Sequence, residues 1–165
     1  MQIEADFLRC LGCQACVLAC QQANQLPVAT ALRRVLVVNR QQRYGLPQLY
    51  NSTACRQCQD PVCASVCPNG VYYRSAEGVV LRHEQLCQGC HRCVAACPDQ
   101  AISINLQTGH AAKCQLCADR REAGIKPACV EVCPTDCLRL VADGEGKDTL
   151  LEVMRYLQLK RREQR

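Results

Sequence analysis

Apolar positions in this chain come in short bursts rather than long periodic stretches. After Asn69-Gly70, Val71-Tyr72-Tyr73-Arg74 and Val79-Val80-Leu81 flank the turn Ser75-Ala76-Glu77-Gly78, and their β-branched and aromatic content predicts a hairpin. Ala101-Ile102-Ser103-Ile104-Asn105, followed by a turn at Gln107-Thr108-Gly109, predicts a further strand. Leu138-Arg139-Leu140-Val141 alternates as a half-buried strand does, and Arg33-Arg34-Val35-Leu36-Val37-Val38-Asn39-Arg40 reads as a strand between basic ends. From Asp143 the period changes. Gly144-Glu145-Gly146 reads as a joint, and Thr149-Leu150-Leu151-Glu152 has the capping-box form that opens a helix. Leu150, Val153, Met154 and Leu157 then fall on one stripe, widened by Leu151, while Lys160, Arg161, Arg162 and Arg165 put positive charge where a helix C-terminus favours it.

Composition limits what can hold these elements together. The chain has 165 residues, enough for one domain or two very small ones, with no Trp and a single Phe. A core built from large side chains is therefore excluded, and another source of stability is required. No stretch of about 20 apolar residues occurs, so no membrane span is expected. The start, Met1-Gln2-Ile3-Glu4-Ala5-Asp6, is polar and acidic, unlike a secretory or twin-arginine signal. A cytoplasmic location is expected, with export alongside a signal-bearing partner as the alternative.

The missing stability comes from 17 cysteines, sixteen of which fall into four runs. Cys10, Cys13, Cys16 and Cys20 are spaced C-x2-C-x2-C-x3-C, and Cys87, Cys90, Cys93 and Cys97 repeat that spacing and end in Pro98. Cys55, Cys58, Cys63 and Cys67 have a longer middle gap and end in Pro68; Cys114, Cys117, Cys129 and Cys133 have a longer one still and end in Pro134. Cys137 is left over. The C-x2-C-x2-C-x3-C-P form is the ferredoxin run for [4Fe–4S] clusters. Three closely spaced cysteines let a tight loop hold three corners of a cubane, and the fourth, opening the next segment, serves a second cluster. A zinc site uses two C-x2-C halves and has no need of a regular third cysteine with a Cys-Pro fourth. The odd total disfavours a complete disulfide framework.

The four runs in this order, with their unequal gaps, resemble the four-cluster ferredoxin subunits of molybdenum and tungsten oxidoreductases, over roughly residues 1–142. Relatives include the electron-transfer subunits of dimethyl sulfoxide reductase, formate dehydrogenase and formate hydrogenlyase. The resemblance implies an α+β fold of two nested bacterial-ferredoxin-like units plus a C-terminal helix. Residues 1–54 and 98–142 would form the outer unit, 55–97 the inner unit and 143–165 a helix for docking or oligomerisation. It also implies four clusters with mixed ligand sets. Cys10, Cys13 and Cys16 would share the first with Cys133; Cys114, Cys117 and Cys129 the second with Cys20. Cys55, Cys58 and Cys63 would share the third with Cys97; Cys87, Cys90 and Cys93 the fourth with Cys67. One departure stands out: Cys20 is followed by Gln21 instead of Pro, which keeps the ligand and changes the turn after it.

Other residues carry weaker signals. Residues 21–54 read as an insertion packing over one cluster, or else as part of a partner interface. Cys137 reads as a small buried apolar residue. His91 is placed either to hydrogen-bond a cluster sulfur or to lie in solvent. Arg56 and Lys113, beside ligands, raise cluster potentials if buried and do little if exposed. The terminal helix covers the core of its own chain, or docks on another subunit or on further copies.

No nucleotide-binding glycine loop, paired carboxylates or activated nucleophile is present, so the expected role is a non-catalytic electron wire. By resemblance, its partner is a pterin-bound tungsten or molybdenum subunit acting on an aldehyde or formate, with a flavin/NAD or hydrogenase subunit at the other end. Related small ferredoxin subunits stack into filaments, and a conducting filament is expected if the terminal helix serves self-association. A maturation accessory for hydrogenase or formate dehydrogenase is the alternative, and a zinc-binding interaction module a remote one. The formal charge of +5 does not argue for nucleic acid. Sixteen thiolates and four oxidised cubanes together carry about −8, which leaves the loaded chain at roughly −3.

Overall fold

A computed structural model describes residues 1–40, 42, 48–142 and 149–163. The strands among them pair two by two into separate antiparallel ribbons. β1 (Gln2–Ala5) pairs with β8 (Leu138–Val141), Gln2 lying opposite Val141. β2 (Arg33–Val38) pairs with β3 (Leu49–Ala54). The hairpin expected after Pro68 is β4 (Tyr72–Arg74) with β5 (Val80–Arg82), and the strand expected after Pro98 is β6 (Ile102–Ile104), which the turn brings back as a hairpin with β7 (Ala111–Lys113). A two-stranded ribbon is marginal alone in water, so each must lean on something else. Here that is a set of cysteine-bearing loops and the short helices behind them.

Those helices are α1 (Ala15–Ala23), α2 (Val62–Ser65), α3 (Arg92–Ala96), α4 (Ala118–Glu122) and α5 (Ala128–Glu131). Proline explains their lengths. The residue before a proline is driven out of the helical region, so α2, α3 and α5 stop before Cys67-Pro68, Cys97-Pro98 and Cys133-Pro134, and Cys97 itself is extended at φ −71°, ψ 114°. In the first run Gln21 replaces proline, and α1 continues through Cys20 to Ala23. Its side chain is used as well, the Gln21 amide donating to the carbonyls of Val28 and Thr30.

The core is divided among the cysteines. Cys20, Leu32, Val79, Ala112, Cys114 and Leu116 form one buried group. Val71, Tyr72, Val80, Cys93, Ile102 and Ala111 form a second, and Ala5, Cys16, Cys129, Cys137 and Leu138 a third. The β6–β7 hairpin therefore packs into both of the first two groups, through Ala112 and through Ile102 and Ala111.

A fourth group joins the terminal helix α6 (Thr149–Glu163) to the body. Val153 is fully buried against Phe7 and Leu49, and the Phe7 and Tyr156 rings meet edge to face at 5.8 Å. The apolar stripe needs correction: Val153, Tyr156 and Leu157 face the core, whereas Met154 is 51% exposed. Tyr156 takes the place given to Met154 because its ring reaches Phe7. The Gly144–Gly146 joint and the side chains of 149–152 lie outside the described residues. Among the described residues no helix is long and apolar enough to cross a membrane.

Candidate metal centres

The cysteine loops share a backbone device. The residue just before the second cysteine is left-handed in all four runs: Gly12 (φ 71°), Gln57 (φ 55°), Gly89 (φ 67°) and Leu116 (φ 55°). Runs one and three add a left-handed residue just after it, Gln14 and His91. Such kinks curl a short loop around its concave side and turn successive N–H groups inward, the form of an anion-binding nest. Glycine adopts this conformation freely, while Gln57 and Leu116 need compensation. Both are buried. The Gln57 amide donates to the Cys114 carbonyl at 2.8 Å and accepts from the Val80 N–H at 3.0 Å, joining run two to run four and to β5.

Thiols from different runs come together in several places. One pocket is lined by Cys55, Cys58, Cys63 and Cys97, with Lys113 in its wall. A second is lined by Cys10, Cys13, Cys16 and Cys133, together with Cys137. Cys20 and Cys114 share a buried group, and burial, then the neighbouring Cys114 and Cys129 thiols, push the Cys20 thiol up to about 12. Cys117 adds to that push. Cys63, Cys67, Cys87, Cys93 and Cys97 all pack in the group that holds Tyr72, while Cys90 is exposed. Among the described residues no His, Cys, Asp or Glu trio is close enough to hold a single ion, as a tetrahedral zinc site would require.

The fourth cysteine of every run meets a donor from the residue four places on. Cys67 Sγ accepts from the Val71 N–H at 3.5 Å, and Cys97 Sγ from the Ala101 N–H at 3.4 Å. In run one the continued helix ties up the Asn24 N–H, and the Asn24 side-chain amide approaches Cys20 Sγ at 3.7 Å instead. In run four the residue is Cys137, whose Sγ lies 3.5 Å from Cys133 Sγ. Burial would raise the Cys133 thiol, but bonds from Thr135 and Cys137 outweigh it and hold it down at about 7. Burial and that same contact push Cys137 up to about 12. Cys137 is buried as expected, yet its sulfur also faces that of Cys133, from the same spacing at which Val71 and Ala101 face Cys67 and Cys97.

Further donors reach sulfur from the sheet ribbons. Tyr72 Oη donates to Cys93 Sγ at 3.1 Å, and Ser52 Oγ lies 3.4 Å from Cys16 Sγ. Burial, reinforced by Cys93, raises the Tyr72 phenol, which keeps it a donor. Burial also raises Cys63 and Cys129 to about 11, opposed in one case by Lys113 and in the other by Arg33.

Two of the expected tuning residues are placed differently from one another. Lys113 is only 2% exposed, its ammonium donating to the carbonyls of Val80 and Cys114. The Arg56 side chain is 55% exposed and faces Asp99 at 3.6 Å. His91 does not reach a sulfur and does not point into solvent: its Nε2 bonds the Gly109 carbonyl at 2.9 Å, pinning the third loop to the β6–β7 turn. Arg33, read as a basic strand end, is 1% exposed and donates to Ser52 Oγ at 2.9 Å. Its other terminal nitrogen, Nη2, has no hydrogen-bond partner among the described residues. Burial pulls the Arg33 pKa down, but the thiols of Cys129, Cys114, Cys16 and Cys20 together hold it above its ordinary value.

This chemistry fits [4Fe–4S] clusters. Thiol sets of the ferredoxin spacing, donors aimed at sulfur and a buried guanidinium with an orphaned N–H pair are what anionic thiolate-ligated cubanes require.

Comparison with known proteins agrees. A 4Fe-4S dicluster domain model matches residues 46–143, and a 4Fe-4S binding domain model matches residues 7–24. The thiosulfate reductase electron transfer subunit of Salmonella typhi is 42% identical over 137 residues, covering 81% of this chain and 71% of that protein. The B subunit of polysulfide reductase from Wolinella succinogenes is 38% identical over 151 residues, covering 88% and 78%. The B subunit of anaerobic dimethyl sulfoxide reductase from Haemophilus influenzae is 37% identical over 142 residues, covering 81% and 69%.

Proposed function

From the premise that this protein belongs to the 4Fe-4S dicluster family of reductase electron-transfer subunits, and is not itself a catalytic subunit, we propose that it holds four [4Fe–4S] clusters and relays single electrons to or from a molybdenum-type catalytic partner. The ligand sets proposed are Cys10, Cys13, Cys16 and Cys133; Cys114, Cys117, Cys129 and Cys20; Cys55, Cys58, Cys63 and Cys97; and Cys87, Cys90, Cys93 and Cys67. One observation carries this reading. Each of two cavities is lined by three cysteines of one run and the last cysteine of another, in the combinations the nested arrangement requires. When bound, the clusters supply the one-electron chemistry. The protein supplies thiolates, keeps water off the buried sulfurs and aims N–H and O–H donors at them.

The relatives' names point to a sulfur-compound reductase as the partner, which we prefer to the aldehyde or formate class. Tungsten and a filament rest on resemblance alone. We also place the protein in the cytoplasm, on the ground that so many free thiols assemble clusters best in a reducing compartment.

Anaerobic purification of the full-length protein with its copurifying subunits, with iron and sulfide counts, tests the core of this reading. About 16 irons per chain and a pterin-containing partner are expected. Zinc without iron would overturn it, and a hydrogenase maturation complex without a reductase would replace the function. Truncation after Gly146 tests the filament: an unchanged oligomeric state removes it.

A further inference from the structure

The two most deeply buried cations among the described residues lie at the boundaries between thiol sets. Arg33 opens β2. Just before it, Leu32 packs with Cys20 and Cys114; two residues after it, Val35 packs with Cys16 and Cys129. The guanidinium reaches Ser52 Oγ, which itself contacts Cys16 Sγ. It therefore stands between the first set and the second. Lys113 closes β7. Its ammonium is anchored on the Cys114 carbonyl, in the second set, and its side chain lines the cavity of Cys55, Cys58, Cys63 and Cys97, the third set. Neither cation has a carboxylate partner among the described residues.

A buried unpaired charge is strongly destabilising, and proteins tolerate one only where a counter-charge compensates it. Here the nearest source of negative charge is the cysteines themselves, once deprotonated. We propose that Arg33 and Lys113 are fixed counter-charges at two successive junctions of the wire, each raising the potentials of the clusters on both of its sides. The inference rests on the ligand sets proposed above. It also orders the effects. The second set lies beside both cations, the first beside Arg33 and the third beside Lys113, while no contact among the described residues ties the fourth to either. Both are positioning residues: they bind no iron and act on the clusters through their charge.

The test is a redox titration of the full-length protein, purified anaerobically and followed by electron paramagnetic resonance, with iron counted in every sample. A unit charge a few ångströms away, in an effective dielectric of about 20, changes a one-electron equilibrium by at least about tenfold. For Arg33→Met, two of the clusters are expected to show a reduced-to-oxidised ratio at least about tenfold lower at a fixed potential, a shift of about 59 mV, while the other two stay put. Lys113→Met should also shift two, sharing only one with Arg33→Met. Arg33→Lys should keep the wild-type potentials. If Arg33→Met fails to load iron while Arg33→Lys loads fully, the counter-charge role is supported by that contrast. Failure of both to load points to shape rather than charge and overturns the proposal for Arg33. Full loading with unmoved potentials in both Met variants overturns it altogether. A wild-type protein without iron would instead defeat the cluster reading, so the two failures are distinct.

Discussion

Substituting Gly12 by alanine isolates what the β2–β3 ribbon does for the first cysteine loop. Gly12 sits between Cys10 and Cys13 at φ 71°, and a Cβ built there would lie 2.5 Å from Tyr50 Cδ1 and 2.7 Å from Cγ. Clashing with Cγ, the ring cannot escape by turning about its own axis; Tyr50 must leave its rotamer or β3, where Tyr50 is paired with Val37, must move. The left-handed backbone costs an alanine about 1–2 kcal/mol, and forced overpacking a further 1–3 kcal/mol, so the total is about 2–5 kcal/mol. Gly70→Ala is the matched control. At φ 59° with nothing within 4 Å of the added Cβ, it should cost only the backbone share. The difference, about 1–3 kcal/mol, corresponds to a gap of roughly 2–12 °C for a protein of this size. Thermal loss of visible cluster absorbance and of far-ultraviolet ellipticity, scanned anaerobically at one fixed rate, measures it. Tyr50→Ala combined with Gly12→Ala should recover most of the gap, as a favourable coupling in a double-mutant cycle. Equal midpoints for Gly12→Ala and Gly70→Ala, or no coupling to Tyr50, would refute the claim that this ribbon clamps the loop.

Three further outcomes are expected. Val153→Asp should release α6, because it removes about 1.5–3 kcal/mol of buried valine and inserts an unpaired carboxylate against Phe7 and Leu49; hydrogen exchange across 153–163 should rise with iron content unchanged, whereas Met154→Asp, on the exposed side, should change neither. Tyr72→Phe removes the donor to Cys93 Sγ and should lower one midpoint potential by on the order of tens of millivolts; unmoved potentials throughout would show that the hydroxyl is indifferent to redox state. In the cluster-free protein, alkylation followed by mass spectrometry should find Cys133 reacting to a plateau as pH passes about 7, while Cys20 keeps gaining rate up to about 12. The signs follow for stability: the lowered Cys133 thiol stabilises the fold above its unfolded value of 9.0 and loses that contribution as pH falls through about 7, and the raised Cys20 thiol contributes below 9.0 and loses it as pH rises through about 12.

Much of this could be read from the residue order, since the chemistry is local. A C-x2-C spacing needs a tight loop whatever surrounds it, and the hairpins at Tyr72–Arg82 and Ile102–Lys113 are built from adjacent segments. The absence of proline after Cys20 also had a local consequence, the longer α1. What stayed hidden depends on contacts distant in sequence. β1 is four residues of mixed polarity and becomes a strand only because β8 lies beside it. Arg33 looks like a solvated strand end, since nothing nearby in sequence reveals that thiols from two different runs surround it. The Val153 side of α6 was legible as apolar, but whether Met154 or Tyr156 completed it depended on Phe7. His91 stands among ligands in sequence, yet its left-handed backbone aims the ring at Gly109.

The pairing of β1 with β8 bears on how the protein is made. These strands come from the first and last parts of the cysteine-bearing region, so the ribbon cannot close until the ribosome has released nearly all of it. The β4–β5 and β6–β7 hairpins, each contained in about a dozen residues, can form while synthesis is still under way. Cys10 and Cys133 lie just inside the late clasp, and Cys63 and Cys97 beside the early hairpins. Biogenesis would then run from the inner sites outward, and a nascent polypeptide stalled before Leu138 would already offer its middle cysteines to iron while its first loop still waited for a partner.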